Sequence, residues 1–133
     1  MAHILIVDDE ADVITYLSAM LTDAGHRVTT ANNGAEAMDA VKADRPDLVS
    51  LDMSMPEKSG VRFYREMKED ADLAGVPIVI VTGVTNPWSG RGGEGTFEGF
   101  ISSRKQVPPP EGFFEKPVKK DAYLAKVAEL TGA

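Results

Sequence analysis

Carboxylates follow two of the apolar runs in this sequence, at the points where the runs end. Asp52 comes directly after the run Leu48 to Leu51. Asp8 and Asp9 come directly after the run Ile4 to Val7. Short, mostly apolar runs are typical of strands buried on both faces of a parallel sheet. Because ligands of open parallel sheets bind at the carboxyl ends of the strands, the sequence predicts a cleft that holds three carboxylates.

Carboxylates in one cleft repel one another and need a counter-charge. Mg²⁺ is a hard cation that takes oxygen ligands, typically one or two carboxylates together with waters and phosphate oxygens. A carboxylate can also accept a phosphoryl group to form an aspartyl phosphate. Thr82 ends a further apolar run and Lys116 follows Phe113-Phe114-Glu115, so a hydroxyl and an ammonium are expected beside the cleft. This set of groups fits phosphoryl transfer, which depends mostly on positioning and charge neutralisation.

Each of these residues also has a purely structural explanation. A single Asp after a strand commonly forms a turn or caps a helix. Acids in the first turn of a helix, such as those in Asp8-Asp9-Glu10, interact favourably with the helix dipole. The combination of three Asp, one Thr and one Lys at strand ends is what favours a site.

Predicted strands alternate with predicted helices along the chain. The strands are Ile4 to Val7, Arg27 to Ala31, Leu48 to Leu51, Val76 to Thr82 and Phe113 to Lys116. The first predicted helix carries Val13 to Leu21 and stops at Gly25. The others are Ala35 to Ala43, Val61 to about Asp70, a weak helix over Thr96 to Arg104, and Asp121 to Leu130. In the last helix, Leu124, Val127 and Leu130 are expected to face inward. This order predicts an α/β fold with a five-stranded parallel sheet, strand order 2-1-3-4-5, and helices on both faces, as in flavodoxin-like folds.

Size and composition restrict the classes of function. The 133 residues suit one domain, 1–133, and Met1 with the short tail 131–133 favours a complete one. The chain has no cysteine, which excludes disulfides and thiolate metal sites. A net charge of −7 without clustered Lys and Arg argues against direct nucleic-acid binding. No apolar run is long enough to span a membrane and no signal peptide is visible, so a cytoplasmic location is expected.

The motifs together resemble the receiver (CheY-like) domains of two-component response regulators over almost the whole chain. The matching segments are Val7-Asp8-Asp9-Glu10, Asp52-Met53-Ser54-Met55-Pro56 through Gly60, Thr82-Gly83 and Lys116-Pro117. The combination is highly specific. The resemblance implies that Asp52 is the phosphoacceptor. It also implies that Asp8 or Asp9, with Asp52 and the backbone carbonyl of Met53, binds Mg²⁺.

The resemblance implies further roles around the phosphoacceptor. Thr82 and Lys116 would contact the phosphoryl group. A cis peptide would precede Pro117. Phe113 occupies the aromatic switch position of the family and would rotate as Thr82 moves, although simple core packing also explains a Phe there. Phosphorylation would then change the surface near strands 4 and 5.

The implied function is a stand-alone signalling switch without an output domain of its own. It would accept a phosphoryl group from a sensor histidine kinase or a histidine phosphotransfer protein and then act on a downstream protein target. It would not be an enzyme in the usual sense, because it would assist only its own phosphorylation and dephosphorylation. A phosphohydrolase with an aspartyl nucleophile is a weaker interpretation, because Ser54 stands where the Asp-x-Asp pattern requires an acid. A flavodoxin is disfavoured by the acidic turn after the first strand.

The chain departs from the family pattern between Thr82 and Lys116, which are separated by 33 residues. A helix and two loops of ordinary length need only roughly 20. Residues 83–112 are rich in Gly and Pro and form an atypical insertion or an altered helix region. Trp88 and Phe97 are candidate anchors for a partner or for a homodimer, and an insertion without a partner is equally compatible. The alternative function is a receiver-like binding module with vestigial phosphorylation that acts through residues 83–112.

Overall fold

The described part of the chain contains five strands and four helices. The computed structural model describes residues 2–52, 59–82, 111–115 and 118–132. The strands are β1 (His3–Val7), β2 (Arg27–Ala31), β3 (Leu48–Leu51), β4 (Ile78–Thr82) and β5 (Gly112–Glu115). The helices are α1 (Ala11–Asp23), α2 (Gly34–Ala43), α3 (Ser59–Glu69) and α4 (Lys120–Thr131). The weak helix predicted over Thr96 to Arg104 lies outside the described residues.

The strands form one parallel sheet in the order β2-β1-β3-β4-β5. The predicted fold class and strand order are therefore confirmed. In the register, Val7 lies beside Leu51, Leu51 beside Ile80, and Ile80 beside Phe113. This alignment places the carboxyl ends of the central strands at one edge of the sheet.

Both faces of the sheet are covered, which explains the unbroken apolar runs. Successive side chains of a strand point to opposite faces. The odd-numbered core residues of β1 and β3, such as Leu5 and Val49, pack with Phe63 and Met67 of α3. The even-numbered residues, such as Ile4, pack on the other face with residues of α1 and α4. A strand enclosed in this way has no solvent-facing side and so no alternation of polar residues.

Local polar contacts determine where individual elements begin and end. The Asn33 side chain accepts a hydrogen bond from the Glu36 backbone N–H at 2.8 Å, and the Glu36 carboxylate accepts one from the Asn32 N–H at 3.0 Å. This reciprocal arrangement starts α2. Gly25 adopts a φ of 93°, a conformation that favours glycine, just after the end of α1. The sheet pairing of β4 starts at Ile78, later than predicted, because Pro77 has no N–H to donate.

The inward face of α4 contains a residue that the sequence pattern did not indicate. Val127 is buried, and Leu124 and Leu130 are half-buried against the same core. Tyr123 is fully buried as well, with its phenol inside the protein. The buried pair is therefore spaced by four residues, from Tyr123 to Val127, as expected of one helical face. None of the helices described here has the length and apolar content that crossing a bilayer requires.

An ion pair between a buried lysine and a partly exposed glutamate ties α3 to the amino ends of β4 and β5. The Lys68 side chain is 1% exposed, and its Nζ lies 3.0 Å from Oε2 and 3.1 Å from Oε1 of Glu111. Glu111 Oε1 also accepts a hydrogen bond from the Ile78 N–H at 2.7 Å. The ammonium lies 5.7 Å from the centre of the Tyr64 ring. Glu111 therefore pairs with the buried Lys68 ammonium and also accepts a hydrogen bond from the first N–H of β4.

We expect Glu111→Gln to lower the free energy of unfolding by about 1–2 kcal/mol, because it leaves the Lys68 ammonium buried without its counter-charge. The Gln oxygen can still accept from the Ile78 N–H, so the loss reports the ion pair. Glu129→Gln is the matched control, since Glu129 pairs with Lys126 at 2.8 Å on the surface and its side chain is 65% exposed. Its effect should stay below about 0.5 kcal/mol in urea unfolding. Equal losses in the two variants would contradict the prediction.

Candidate functional site

Backbone hydrogen bonds hold the two central acids just beyond the strand ends. The Asp52 N–H donates to the Val7 carbonyl at 2.9 Å, and the Asp8 N–H donates to the Ala31 carbonyl at 3.1 Å. Each bond extends the parallel ladder by one residue. Asp8 and Asp52 thus follow adjacent residues, Val7 and Leu51, of the neighbouring strands β1 and β3. The sheet itself brings the two carboxylates together.

Four carboxylates meet at this edge and form what we term the acidic cluster, Asp8, Asp9, Glu10 and Asp52. One carboxylate oxygen from each lies within 4.8 Å of those of the others. Asp8 and Asp52 are each 1% exposed, whereas Asp9 and Glu10 are exposed. The Glu10 N–H donates to Asp8 Oδ1 at 2.9 Å, which shapes the turn into α1. Glu10 belongs to the acidic run of the sequence but is not among the predicted metal ligands. Its position in the sequence does not distinguish a metal ligand from an acid at the start of a helix.

The donor set of the acidic cluster suits a small divalent cation. Two ionised carboxylates about 5 Å apart near a protein surface repel by on the order of 3 kcal/mol. Mg²⁺ binds oxygen ligands and retains several waters. Two buried acids and two exposed ones would provide fixed ligands together with access for water and an incoming anion. The residues therefore fit the predicted metal.

The structure describes only some of the other residues that the sequence predicts for the site. Thr82 is the last residue of β4 and lies beside Glu115, and Phe113 of β5 lies beside Ile80. These backbone positions bring the ends of β4 and β5 to the same edge as the acidic cluster. The side chains of Thr82 and Phe113 are outside what the structure describes. The other predicted residues outside the described ranges are Met53, Trp88, Phe97, Lys116 and Pro117.

A contact from α1 reaches the segment that follows Lys116. The Tyr16 hydroxyl donates to the Val118 carbonyl at 3.0 Å, although the residue remains 47% exposed. The helical spacing of apolar residues places Tyr16 on the solvent side of α1. Nothing in the sequence therefore predicts this hydrogen bond. The contact ties the β5–α4 connection to the helix that begins in the acidic cluster.

Comparison with known proteins identifies the family. The family model described as "Response regulator receiver domain" matches residues 4–92, which include the whole acidic cluster and the ends of β1, β3 and β4. The chain belongs to the response regulator receiver domain family. Receiver domains act in phosphorylation-dependent signalling in two-component systems, have no classical enzymatic role and generally use Mg²⁺.

Individual receiver proteins are similar to this chain to different extents. Protein Rrf1 of Nitratidesulfovibrio vulgaris is 38% identical over 81 residues, 61% of this chain and 59% of Rrf1. Protein PilH of Pseudomonas aeruginosa is 39% identical over 82 residues, 62% of this chain and 68% of PilH. The crystal structure of the chemotaxis response regulator CheY4 of Vibrio cholerae has a TM-score of 0.77 at 27% identity and covers 98% of both chains. The similarity to CheY4 thus covers nearly the whole chain.

We expect Mg²⁺ to stabilise this receiver domain through the acidic cluster. A ligand present at a hundred times its Kd raises the free energy of unfolding by about 2.7 kcal/mol. Asp8→Asn should remove most of this gain, because it removes a buried charged ligand while its side-chain oxygen can still accept from the Glu10 N–H. Thermal unfolding with MgCl₂, compared with NaCl at equal ionic strength, measures the gain.

Asp12→Asn is the control variant for this measurement. Asp12 is an exposed acid in the first turn of α1 and lies outside the acidic cluster. It should retain the full Mg²⁺-dependent gain. A gain that survives in Asp8→Asn, or one that NaCl reproduces, would contradict a metal site in the acidic cluster.

Proposed function

We propose that the chain is a phosphorylation-dependent switch in which Asp52 accepts the phosphoryl group. The observation that carries this proposal is the position of Asp52, which is 1% exposed, directly follows β3 and lies in the acidic cluster. A buried carboxylate at the carboxyl edge of a parallel sheet lies where such sheets bind ligands. Membership of the receiver family supports the same role.

The transfer itself needs little from the protein beyond positioning. An Asp52 carboxylate oxygen attacks the phosphorus of a phosphohistidine on the donor, and a P–O bond forms as the P–N bond breaks. The electron pair of the broken bond stays on the imidazole nitrogen, which takes up a proton. The product on this chain is an aspartyl phosphate. Attack of water on phosphorus then returns Asp52 and inorganic phosphate.

The residues proposed to hold Mg²⁺ are Asp8, Asp9 and Asp52, with the backbone carbonyl of Met53. When bound, the metal would neutralise negative charge that develops on the phosphoryl oxygens. Asp8 is suited to act as a fixed metal ligand, because the Glu10 N–H orients one of its carboxylate oxygens. Asp9 is exposed and is free to adjust to an incoming group.

The conformational response is proposed to run through the ends of β4 and β5. Thr82 and Lys116 would contact the phosphoryl oxygens, with the peptide before Pro117 in the cis form. A phosphoryl group adds up to two negative charges and three acceptor oxygens. Movement of Thr82 would give Phe113 room to rotate and would shift the population between two packings. The surface near β4 and β5 would change for a downstream protein.

The donor is proposed to be a sensor histidine kinase or a histidine phosphotransfer protein. The chain spans 59% of the length of Rrf1, so the partners of the intact protein are part of this proposal. Residues 1–133 are proposed to form one receiver domain with an atypical segment at 83–112. Trp88 and Phe97 would anchor a partner there. The family match ends at residue 92, inside that segment, which supports its atypical character.

Incubation with acetyl phosphate and Mg²⁺ tests the phosphoacceptor. Intact-mass measurement should show one added phosphoryl group, because acetyl phosphate supplies a reactive phosphoryl group to a suitable carboxylate. The adduct should require Mg²⁺ and should be absent from Asp52→Asn, in which an amide replaces the nucleophilic carboxylate at nearly the same size.

Asp39→Asn is the matched control, since Asp39 is an exposed carboxylate of α2 outside the acidic cluster. It should form the same adduct as the unaltered chain. An adduct that persists in Asp52→Asn would exclude Asp52 as the acceptor. A folded, Mg²⁺-binding sample without any adduct would instead favour a binding module that acts through residues 83–112.

A further inference from the structure

Two buried hydroxyl groups lie below the phosphoacceptor. Ser50 of β3 is 1% exposed and Tyr123 of α4 is fully buried. Within the described residues, neither Ser50 Oγ nor the Tyr123 hydroxyl has a hydrogen-bond partner. Buried polar atoms normally have partners, and an unpaired one costs free energy. Ala and Phe would fill the same space without that cost, so two such groups at one place require an explanation.

The location of the two hydroxyls connects three elements. Ser50 lies two residues before Asp52 and, because side chains alternate along a strand, projects from the same face. The residues around Ser50 and Tyr123 on that face are apolar, among them Ile6 and Val79. The Tyr123 ring packs edge-on against Phe114 of β5, with ring centres 5.5 Å apart and an interplanar angle of 71°. Tyr123 therefore joins α4 to β5 and lies against β3.

The two hydroxyls are near each other but are not bonded. Burial raises the pKa of the Tyr123 phenol, and the nearby Ser50 hydroxyl partly opposes that rise. The geometry between the two oxygens nevertheless falls outside that of a hydrogen bond. A small displacement of α4 relative to β3 would bring the two oxygens into hydrogen-bond geometry.

We propose that Ser50 and Tyr123 are a positioning pair that couples the state of Asp52 to α4, with the hydroxyl–hydroxyl bond open in the unphosphorylated chain and closed after phosphorylation. This inference rests on the proposed function of Asp52. Asp52 is about 7 Å from Ser50 along the same strand, so a shift of the strand end reaches Ser50 directly. Closing the bond satisfies both hydroxyls and holds α4 against β3.

Amide hydrogen exchange of α4, with and without acetyl phosphate and Mg²⁺, tests the pair. In the unaltered chain, phosphorylation should slow exchange of the amides from Tyr123 to Val127 by about tenfold, as one added hydrogen bond allows. Exchange in α2 serves as the internal reference, because α2 packs on the other face of the sheet. Mass spectrometry of the same samples records the adduct.

Removal of either hydroxyl should abolish the slowing. Tyr123→Phe and Ser50→Ala should each form the adduct but show no change of α4 relative to α2, and the double variant should show no further effect. Thr131→Val is the matched control, since it removes a hydroxyl of the same helix that bonds to the Val127 carbonyl at 2.7 Å. It should retain the tenfold slowing. A purely structural role would alter exchange equally with and without phosphorylation.

The outcomes separate this inference from the proposed function. An adduct accompanied by full slowing in both Tyr123→Phe and Ser50→Ala would overturn the positioning pair and leave Asp52 as the acceptor. If the unaltered chain forms the adduct without any slowing of exchange in α4, the positioning pair is likewise overturned and Asp52 is left as the acceptor. Absence of the adduct in the unaltered chain would overturn the proposed function, and the positioning pair with it.

Discussion

The constraint on which the site depends is the mutual repulsion of carboxylates that the parallel sheet forces together. Asp8 and Asp52 follow paired residues of β1 and β3, and their backbone N–H groups are fixed by the ladder. These bonds fix the main-chain positions of the two acids next to each other. Their mutual repulsion therefore favours the binding of a cation at this edge. Four carboxylate oxygens lie within 4.8 Å of one another at this edge, so positive charge is stabilised there.

Polar groups are treated differently at the two edges of the same sheet. At the amino edge several of them pair within the protein: the His3 backbone N–H donates to Asp47 Oδ2 at 2.8 Å, and Glu111 contacts both Lys68 and the Ile78 N–H. At the carboxyl edge the carboxylates face one another. The difference follows from the direction of the strands, because only the carboxyl edge is followed by turns that enter helices. One edge thus contributes stability, and the other concentrates the charge on which chemistry can act.

The fold and the acidic cluster were predictable because their signals are local. A strand covered on both faces leaves an unbroken apolar run, and an acid directly after that run must lie at the sheet edge. Contacts between distant segments have no such signal. Tyr16 bonds to Val118 across 102 residues and Lys68 to Glu111 across 43, and nothing in either segment specifies the other. Tyr123 was missed for the related reason that a phenol fits an exposed and a buried helical position equally well.

These distant contacts tie α4 and the segment before it to β5 and to α1. Through Val118, the start of the helix is tied to α1, which begins in the acidic cluster. Through Tyr123, it is tied to Phe114 of β5 and lies beside Ser50 of β3. In the proposed switch, a change of charge at Asp52 would reach α4 through these neighbouring elements. Because the residues between them are close-packed, small displacements at the strand ends would be passed on to the helix.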